Sequence, residues 1–108
     1  MKYAPLLISA TLVLSATISL HTAQAQDGAN LFGTKGCIAC HGVDAKSPIN
    51  DNIPKLAGQN KGYLVQQITD IGSGARNNGQ TSLMKAIAAN LNEAEIEALA
   101  THLSGLPR

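Results

Sequence analysis

Apolar residues near the end of the chain recur every three or four positions, which is the spacing of one face of an α-helix. The recurring positions in this segment are Ile96, Leu99, Ala100 and Leu103. Asn92 and Glu95 have the residue types and the spacing of a capping box, which pairs backbone N–H groups at a helix start. Gly105 and Pro107 are typical of a helix end. The pattern therefore predicts a helix between Asn92 and Gly105.

The same spacing predicts a helix that Asn60 caps and that Gly72 and Gly74 end. Its recurring positions are Tyr63, Leu64, Gln67, Ile68 and Ile71. A short first helix is predicted to begin near Ala29 and to end at Gly36. Since no run alternates between apolar and polar residues as a half-buried strand does, we predict an all-α domain.

Two segments between these helices lack a clear period. Residues 42–58 contain two prolines and several Asp and Asn residues, which indicates a loop that wraps around something. Residues 77–79, Asn-Asn-Gly, predict a turn. The segment from Thr81 to Ala89, which carries Met84, is predicted to be either a short helix or an irregular segment.

The first 25 residues have the pattern of a secretory signal peptide. Lys2 gives a positive start, residues 6–20 are apolar apart from Ser and Thr, and residues 23–25 give a small-x-small cleavage pattern. We predict cleavage after Ala25, which leaves one domain of residues 26–108 in the periplasm. A retained anchor is the alternative, but the apolar stretch is short of the ~20 residues that a spanning helix needs. We therefore expect no stable membrane insertion.

The remaining domain is small for a stable hydrophobic core. Its aromatic residues are Phe32 and Tyr63, so a group other than aromatic side chains must fill the centre of the domain. The net charge of +1 for the whole chain includes Lys2, so the charge of the domain is balanced. Balanced charge predicts no nucleic-acid partner and no strong electrostatic steering.

Residues 37–41 read Cys-Ile-Ala-Cys-His, the spacing at which a c-type haem is attached. Cys37 and Cys40 lie one helical turn apart, so both sulfurs can reach the vinyl groups on one edge of a porphyrin. His41 then points under the ring centre, where its imidazole can bind the iron. The motif predicts one covalently bound haem c, which would supply most of the missing core.

Other uses of this motif fit the sequence less well. A structural disulfide or a thioredoxin-like dithiol uses the same cysteine spacing, but the dithiol requires a strand before the helix. A zinc site needs four ligands, and beyond Cys37, Cys40 and His41 the chain offers only His102 or a carboxylate. The export signal and the helical pattern favour haem.

The sequence leaves alternatives open for the residues around the haem. Met84 is the methionine that remains after the signal peptide, and a thioether on iron raises the potential, as suits an electron carrier. Met84 could also be a core residue, with His102 as the ligand instead. The carbonyl of Pro54 can accept a hydrogen bond from the second ring nitrogen of His41, or Pro54 is only a turn residue.

Taken together, these residues resemble the small class I cytochromes c, in particular the bacterial periplasmic cytochromes of the c551/c553 type and the single domains of cytochrome c4. The likeness covers nearly all of residues 26–108. It rests on residues 31–42 around the cysteine pair, on residues 54–64, which begin Pro-Lys-Leu-Ala-Gly-Gln, and on Ser-Gly-Ala-Arg-Asn at 73–77.

The resemblance implies a cytochrome c fold of four to five helices around one haem. It places Phe32 against Leu99 of the last helix, Met84 on the iron, and Tyr63 and Arg76 near the haem or its propionates. The chain departs from the family at His102, where relatives often have Tyr or Trp.

The resemblance also implies a function. An iron with two protein ligands has no open site for substrate, so we expect an electron carrier and not an enzyme. Redox partner proteins would dock briefly at the haem edge of a monomer. The alternatives are an electron-transfer subunit of a periplasmic oxidoreductase and a five-coordinate haem protein that binds a gas or reduces peroxide.

Overall fold

A computed structural model of the chain describes residues 2–5 and 27–108. Its helices are α1 (Gly28–Thr34), α2 (Ile38–His41), α3 (Lys61–Ser73), α4 (Thr81–Ala89) and α5 (Glu93–Ser104). The described ranges contain no strand, so the prediction of an all-α domain is confirmed. The predicted signal peptide lies outside the described residues, apart from residues 2–5. Among the residues that are described, no helix is both long and apolar enough to cross a membrane.

α1 and α5 cross at close range. A Cβ on Gly28 would overlap the carbonyl oxygen of Ala98 and would lie 2.7 Å from the Cβ of His102. Phe32 follows one turn later, with its ring centroid 6.1 Å from that of His102. Phe32 and Leu99 are 3% and 2% exposed and belong to one buried cluster. The packing of the first helix on the last, expected from the resemblance, is therefore present.

α3 differs from the prediction at both ends. Asn60 occupies the N-cap position, but its side chain accepts no hydrogen bond from the first turn. Gly72 lies inside the helix, which ends one residue later, before Gly74 in the left-handed conformation at φ 85°. A Cβ on Gly72 would come within 3.0 Å of the backbone carbonyl carbon of Ala88 in α4. Gly72 therefore permits close packing of α3 on α4 and does not end α3.

The segment predicted to be either a short helix or irregular is the regular helix α4. At its start the hydroxyl of Thr81 donates a hydrogen bond of 2.7 Å to the carbonyl of Asn78. Ala88 is buried against α3, and Met84 lies half-buried one turn earlier. α4 thus places Met84 beside the core and not on the outer surface.

The capping box predicted at the start of α5 is present. The side-chain oxygen of Asn92 accepts from the Glu95 N–H at 2.8 Å, and the Glu95 carboxylate accepts from the Asn92 N–H at 3.1 Å. Lys35, just after α1, lies 3.1 Å from the same carboxylate. The Asn92 hydrogen bond and, to a lesser extent, the Lys35 ammonium hold the pKa of Glu95 below its usual value. The start of α5 is thereby tied to the end of α1.

We expect Gly28→Ala to destabilise the protein by about 1–3 kcal/mol, because the added methyl group meets backbone that cannot move aside. Gly33→Ala is the matched control in the same helix, where a Cβ meets nothing within 4 Å. There the higher helix propensity of Ala should stabilise the protein by up to ~1 kcal/mol. Denaturant unfolding measures both free energies, and equal effects of the two substitutions would contradict the close crossing.

Glu95→Gln should lower stability at neutral pH and lose this effect in acid. Because the pKa of Glu95 is lower in the folded than in the unfolded chain, its carboxylate stabilises the fold above the unfolded-state pKa. The contribution disappears as the pH falls through the folded-state pKa, so the two thermal midpoints should converge between about pH 5 and pH 3. Glu93→Gln removes the same charge from the same helical turn without touching the capping box. A difference that is independent of pH, or equally large for Glu93→Gln, would argue against this role.

Candidate cofactor site

An open cavity of about 270 Å³ lies among the described helices. Every helix contributes to its wall, through Phe32, His41, Ile68, Met84 and Leu99. The loop from Gly42 to Gly58 closes a further side through residues 52–54 and Leu56. The wall is largely apolar. The core of this domain is thus built around a space and not around a close-packed centre.

The two cysteines and the histidine of the motif stand together on this wall. Cys37 occupies the N-cap position of α2, and its carbonyl accepts from the N–H of His41 at 3.0 Å. Both cysteines are half-buried free thiols. Burial raises the pKa of the Cys37 thiol, and the nearby Cys40 raises it further. One helical turn therefore presents two thiols and an imidazole to the cavity.

The imidazole of His41 is held by a backbone carbonyl. Its Nδ1 lies 2.9 Å from the carbonyl oxygen of Pro54, and the residue is only 6% exposed. Since a carbonyl can only accept, Nδ1 carries the proton and Nε2 keeps its lone pair. Burial lowers the pKa of His41, although the Pro54 hydrogen bond partly opposes this effect. The ring is therefore a neutral base with one nitrogen available to a metal.

The loop is ordered by hydrogen bonds to its own backbone. Ala45 is fully buried at φ 59°, a conformation that favours glycine, and its carbonyl accepts from the N–H groups of Leu56 and Ala57 at 2.7 and 3.1 Å. Asp44 accepts from the Lys46 N–H at 3.0 Å and from the Ser47 hydroxyl at 2.8 Å, and these bonds lower its pKa. These hydrogen bonds thus fix the loop in a conformation that places the Pro54 carbonyl next to His41.

Met84 and His102, the two candidates for a second metal ligand, lie in different places. Met84 is half-buried and lines the cavity between Leu83 and Ile87. His102 is not among the residues that line the cavity of the described structure, and it packs against Phe32 at the α1–α5 crossing. The fold therefore brings Met84, and not His102, to the same space as His41.

Tyr63 and Arg76 also line the cavity. Tyr63 is half exposed at the cavity mouth, and Arg76 donates from Nη1 to Oε1 of Gln67 at 2.9 Å. The helical spacing predicts Gln67 only as part of a helix face, and not as a partner of Arg76. The sequence does contain a sign of this role, because a polar residue four positions after Tyr63 faces the same side of the helix as its apolar neighbours.

These features fit a flat, mostly apolar macrocycle with a central metal. Two thiols on one turn can form thioether bonds at one edge, the free nitrogen of a neutral imidazole can bind the metal, and a thioether shares the cavity. The apolar wall suits the faces of the ring, and the open side leaves an edge accessible. The chemistry of the donor set is that of a haem iron.

Comparison with known proteins agrees with this geometry. Residues 25–107 match the family model described as Cytochrome c. A relative from Stutzerimonas stutzeri (strain A1501), named thiosulfate dehydrogenase electron acceptor, is 38% identical over 92 residues, which cover 79% of this chain and 41% of the relative. Cytochrome c-554(548) from Halomonas halodenitrificans is 35% identical over 79 residues, which cover 71% of this chain and 89% of the relative.

The same likeness holds in three dimensions. The crystal structure of reduced recombinant cytochrome c4 from Pseudomonas stutzeri has a TM-score of 0.67 and 35% identity, over 77% of this chain and 48% of that one. The chain spans less than half the length of this protein and of the thiosulfate dehydrogenase electron acceptor, but most of the length of the Halomonas cytochrome. With its family match over residues 25–107, the chain belongs to the cytochrome c family, and its cofactor is a covalently bound haem c.

Proposed function

We propose that this protein is a periplasmic single-haem electron carrier. The observation that carries the proposal is that one apolar cavity gathers Cys37, Cys40, His41 and Met84. Cys37 and Cys40 would hold the haem covalently through their thiols, and His41 and Met84 would bind its iron. The bound haem would supply the one-electron redox chemistry.

The side chains and backbone groups around the haem would set its reduction potential and its access to substrates. The Pro54 carbonyl fixes the ring of His41 and raises its basicity as a ligand. A thioether of Met84 on the iron would favour its reduced state and so raise the potential. With His41 and Met84 both bound to the iron, no ligand position would remain for a substrate, and the protein would carry electrons without catalysing a reaction. The five-coordinate alternative would require Met84 to stay off the metal.

We further propose that residues 1–25 direct export and are removed, leaving residues 26–108 as the functional domain. The charged start, the apolar stretch and the Ala-Gln-Ala exit support this division. The domain would then act as a soluble monomer in the periplasm.

Redox partners are expected to dock where the cavity opens. Exposed apolar side chains lie near the haem-binding elements, with Val43 84% and Leu83 71% exposed. Exposed apolar side chains of this kind suit brief contacts of small area. The name of the Stutzerimonas relative gives a candidate donor, a thiosulfate dehydrogenase. Reduction of the purified protein by such an enzyme, followed optically, would distinguish a dissociable acceptor from a permanent subunit of the enzyme complex.

Expression in a host that matures c-type cytochromes should yield a red periplasmic protein. Its intact mass should equal residues 26–108 plus one haem, because cleavage follows Ala25 and both thiols add to the haem. Replacement of Cys37 and Cys40 by Ala should abolish the added mass after denaturation. A colourless wild-type product, or a haem lost on denaturation, would contradict the proposal.

Met84→Leu should convert the haem from low spin to high spin, because the aliphatic side chain keeps the volume but cannot bind iron. The charge-transfer band of the Met–iron bond should disappear, the reduction potential should fall, and carbon monoxide should bind readily. His102→Gln is the control, since His102 lies away from the cavity wall. A variant Met84→Leu with an unchanged spectrum would show that another residue is the ligand.

A further inference from the structure

Thr81 places a buried hydroxyl group on the wall of the cavity. Within the described part of the chain, Thr81 and His41 are the two buried polar residues, at 8% and 6% exposed. Both of them line the cavity. A hydroxyl in an apolar wall costs free energy unless it is hydrogen-bonded, and a valine of nearly the same shape would avoid this cost. The burial of Thr81 therefore indicates a role for its hydroxyl beyond packing.

The hydroxyl of Thr81 connects α4 to the turn that precedes it. Its Oγ1 donates to the carbonyl of Asn78 at 2.7 Å, and the backbone N–H of Thr81 donates to the same carbonyl at 3.2 Å. Gln80, at the N-cap position of α4, makes no side-chain hydrogen bond to the first turn. A helix start without a side-chain cap is less stable than a capped one. Thr81 thus supplies the side-chain contact that holds the first turn of α4 in place.

Two other helical threonines make a different kind of hydrogen bond. Thr69 in α3 donates to the carbonyl of Val65, and Thr101 in α5 donates to that of Glu97, each at 2.8 Å. Both threonines are exposed, and both acceptors lie one turn earlier in the same helix. Threonine commonly makes such bonds inside helices. Of these three threonines, only Thr81 is buried and bonds to a residue outside its own helix.

The first turn of α4 determines where the side chain of Met84 lies. Thr81 and Met84 are three residues apart, so they occupy the same face of the helix, and both line the cavity. Near the other end of α4, Ala88 is in close contact with Gly72 of α3. Met84 therefore lies between two attachments of α4, and the Thr81 hydroxyl is the attachment at the start of the helix.

We propose that Thr81 is a positioning residue for the thioether of Met84. This inference rests on the proposed function, in which Met84 binds the haem iron. By fixing the first turn of α4, the hydroxyl of Thr81 keeps the methionine side chain in the cavity and limits how often its sulfur leaves the metal. Thr81 thereby keeps external ligands off the iron, as an electron carrier requires.

The test measures how fast imidazole replaces Met84 in the oxidised holoprotein. At saturating imidazole the observed rate equals the rate at which the thioether leaves the iron, because the replacement has to wait for this step. Thr81→Val keeps the shape of the side chain but removes the hydrogen bond, whereas Thr81→Ser keeps the hydroxyl. Thr101→Val is the matched control, because it removes a similar bond from a helix without a proposed iron ligand.

We expect Thr81→Val to raise the replacement rate roughly two- to tenfold, the factor that corresponds to one lost hydrogen bond. Thr81→Ser and Thr101→Val should keep the rate of the wild type. Denaturant unfolding of the same proteins separates positioning from general stability. A loss of stability should appear in both valine variants, whereas faster replacement should appear only in Thr81→Val.

An unchanged rate in Thr81→Val, or an equal increase in Thr101→Val, would overturn the role of Thr81. If Thr81→Val does not mature, Thr81→Ala and Thr81→Ser decide, because these two variants differ only in the hydroxyl group. A faster rate in Thr81→Ala would then support the proposal, and equal rates would overturn it. Failure of the proposed ligand set gives a different result, since the optical spectrum of Met84→Leu would then equal that of the wild type.

Discussion

The hydrogen bond between Nδ1 of His41 and the carbonyl of Pro54 connects the two parts of the chain that form the site. His41 belongs to a four-residue helix that could not hold an orientation by itself, and Pro54 belongs to a loop without regular structure. The loop can present its carbonyl because Ala45 is buried in a rare backbone conformation and binds two N–H groups on the far side of the loop. The protonated nitrogen, the free nitrogen and the direction of the ring all depend on this one contact. The ability of the His41 imidazole to bind a metal therefore depends on the loop as much as on the cysteine–histidine motif.

The rest of the fold arranges long helices around that contact. α1 and α5 pack so closely that Gly28 has no room for a side chain, and α3 and α4 pack closely at Gly72. The buried residues of these helices face a shared cavity, so the hydrophobic core is completed only when a large apolar group occupies it. Folding and cofactor attachment should accordingly be strongly coupled in this domain, as they are in small proteins that a metal holds together.

The features of this structure that depend on consecutive residues are predictable from the sequence. The features that depend on contacts between distant residues are not. The helix that starts at Asn92 carries its own cap, its own period and its own stop, and it folds as predicted. The cysteine motif likewise carries its spacing in five consecutive residues. The local pattern predicts a helix end at Gly72 because glycine is common at helix ends. Its actual role is to allow close contact with α4, which a local pattern does not reveal. The pairing of Gln67 with Arg76 spans nine residues and a helix end, so it too appears only in the folded chain.

The close contact at Gly72 has a consequence for the speed of electron exchange. An electron moves readily only if the bonds and dipoles around the donor keep nearly the same arrangement before and after the transfer. Because Gly72 and Ala88 are in close contact, α4 packs tightly on α3, and the helix that would hold Met84 on the iron, as proposed, has little freedom to move away when the charge of the metal changes. The missing side chain at Gly72, which lets α3 pack against Ala88 one helical turn after Met84, would thus keep the reorganisation energy of the redox centre small.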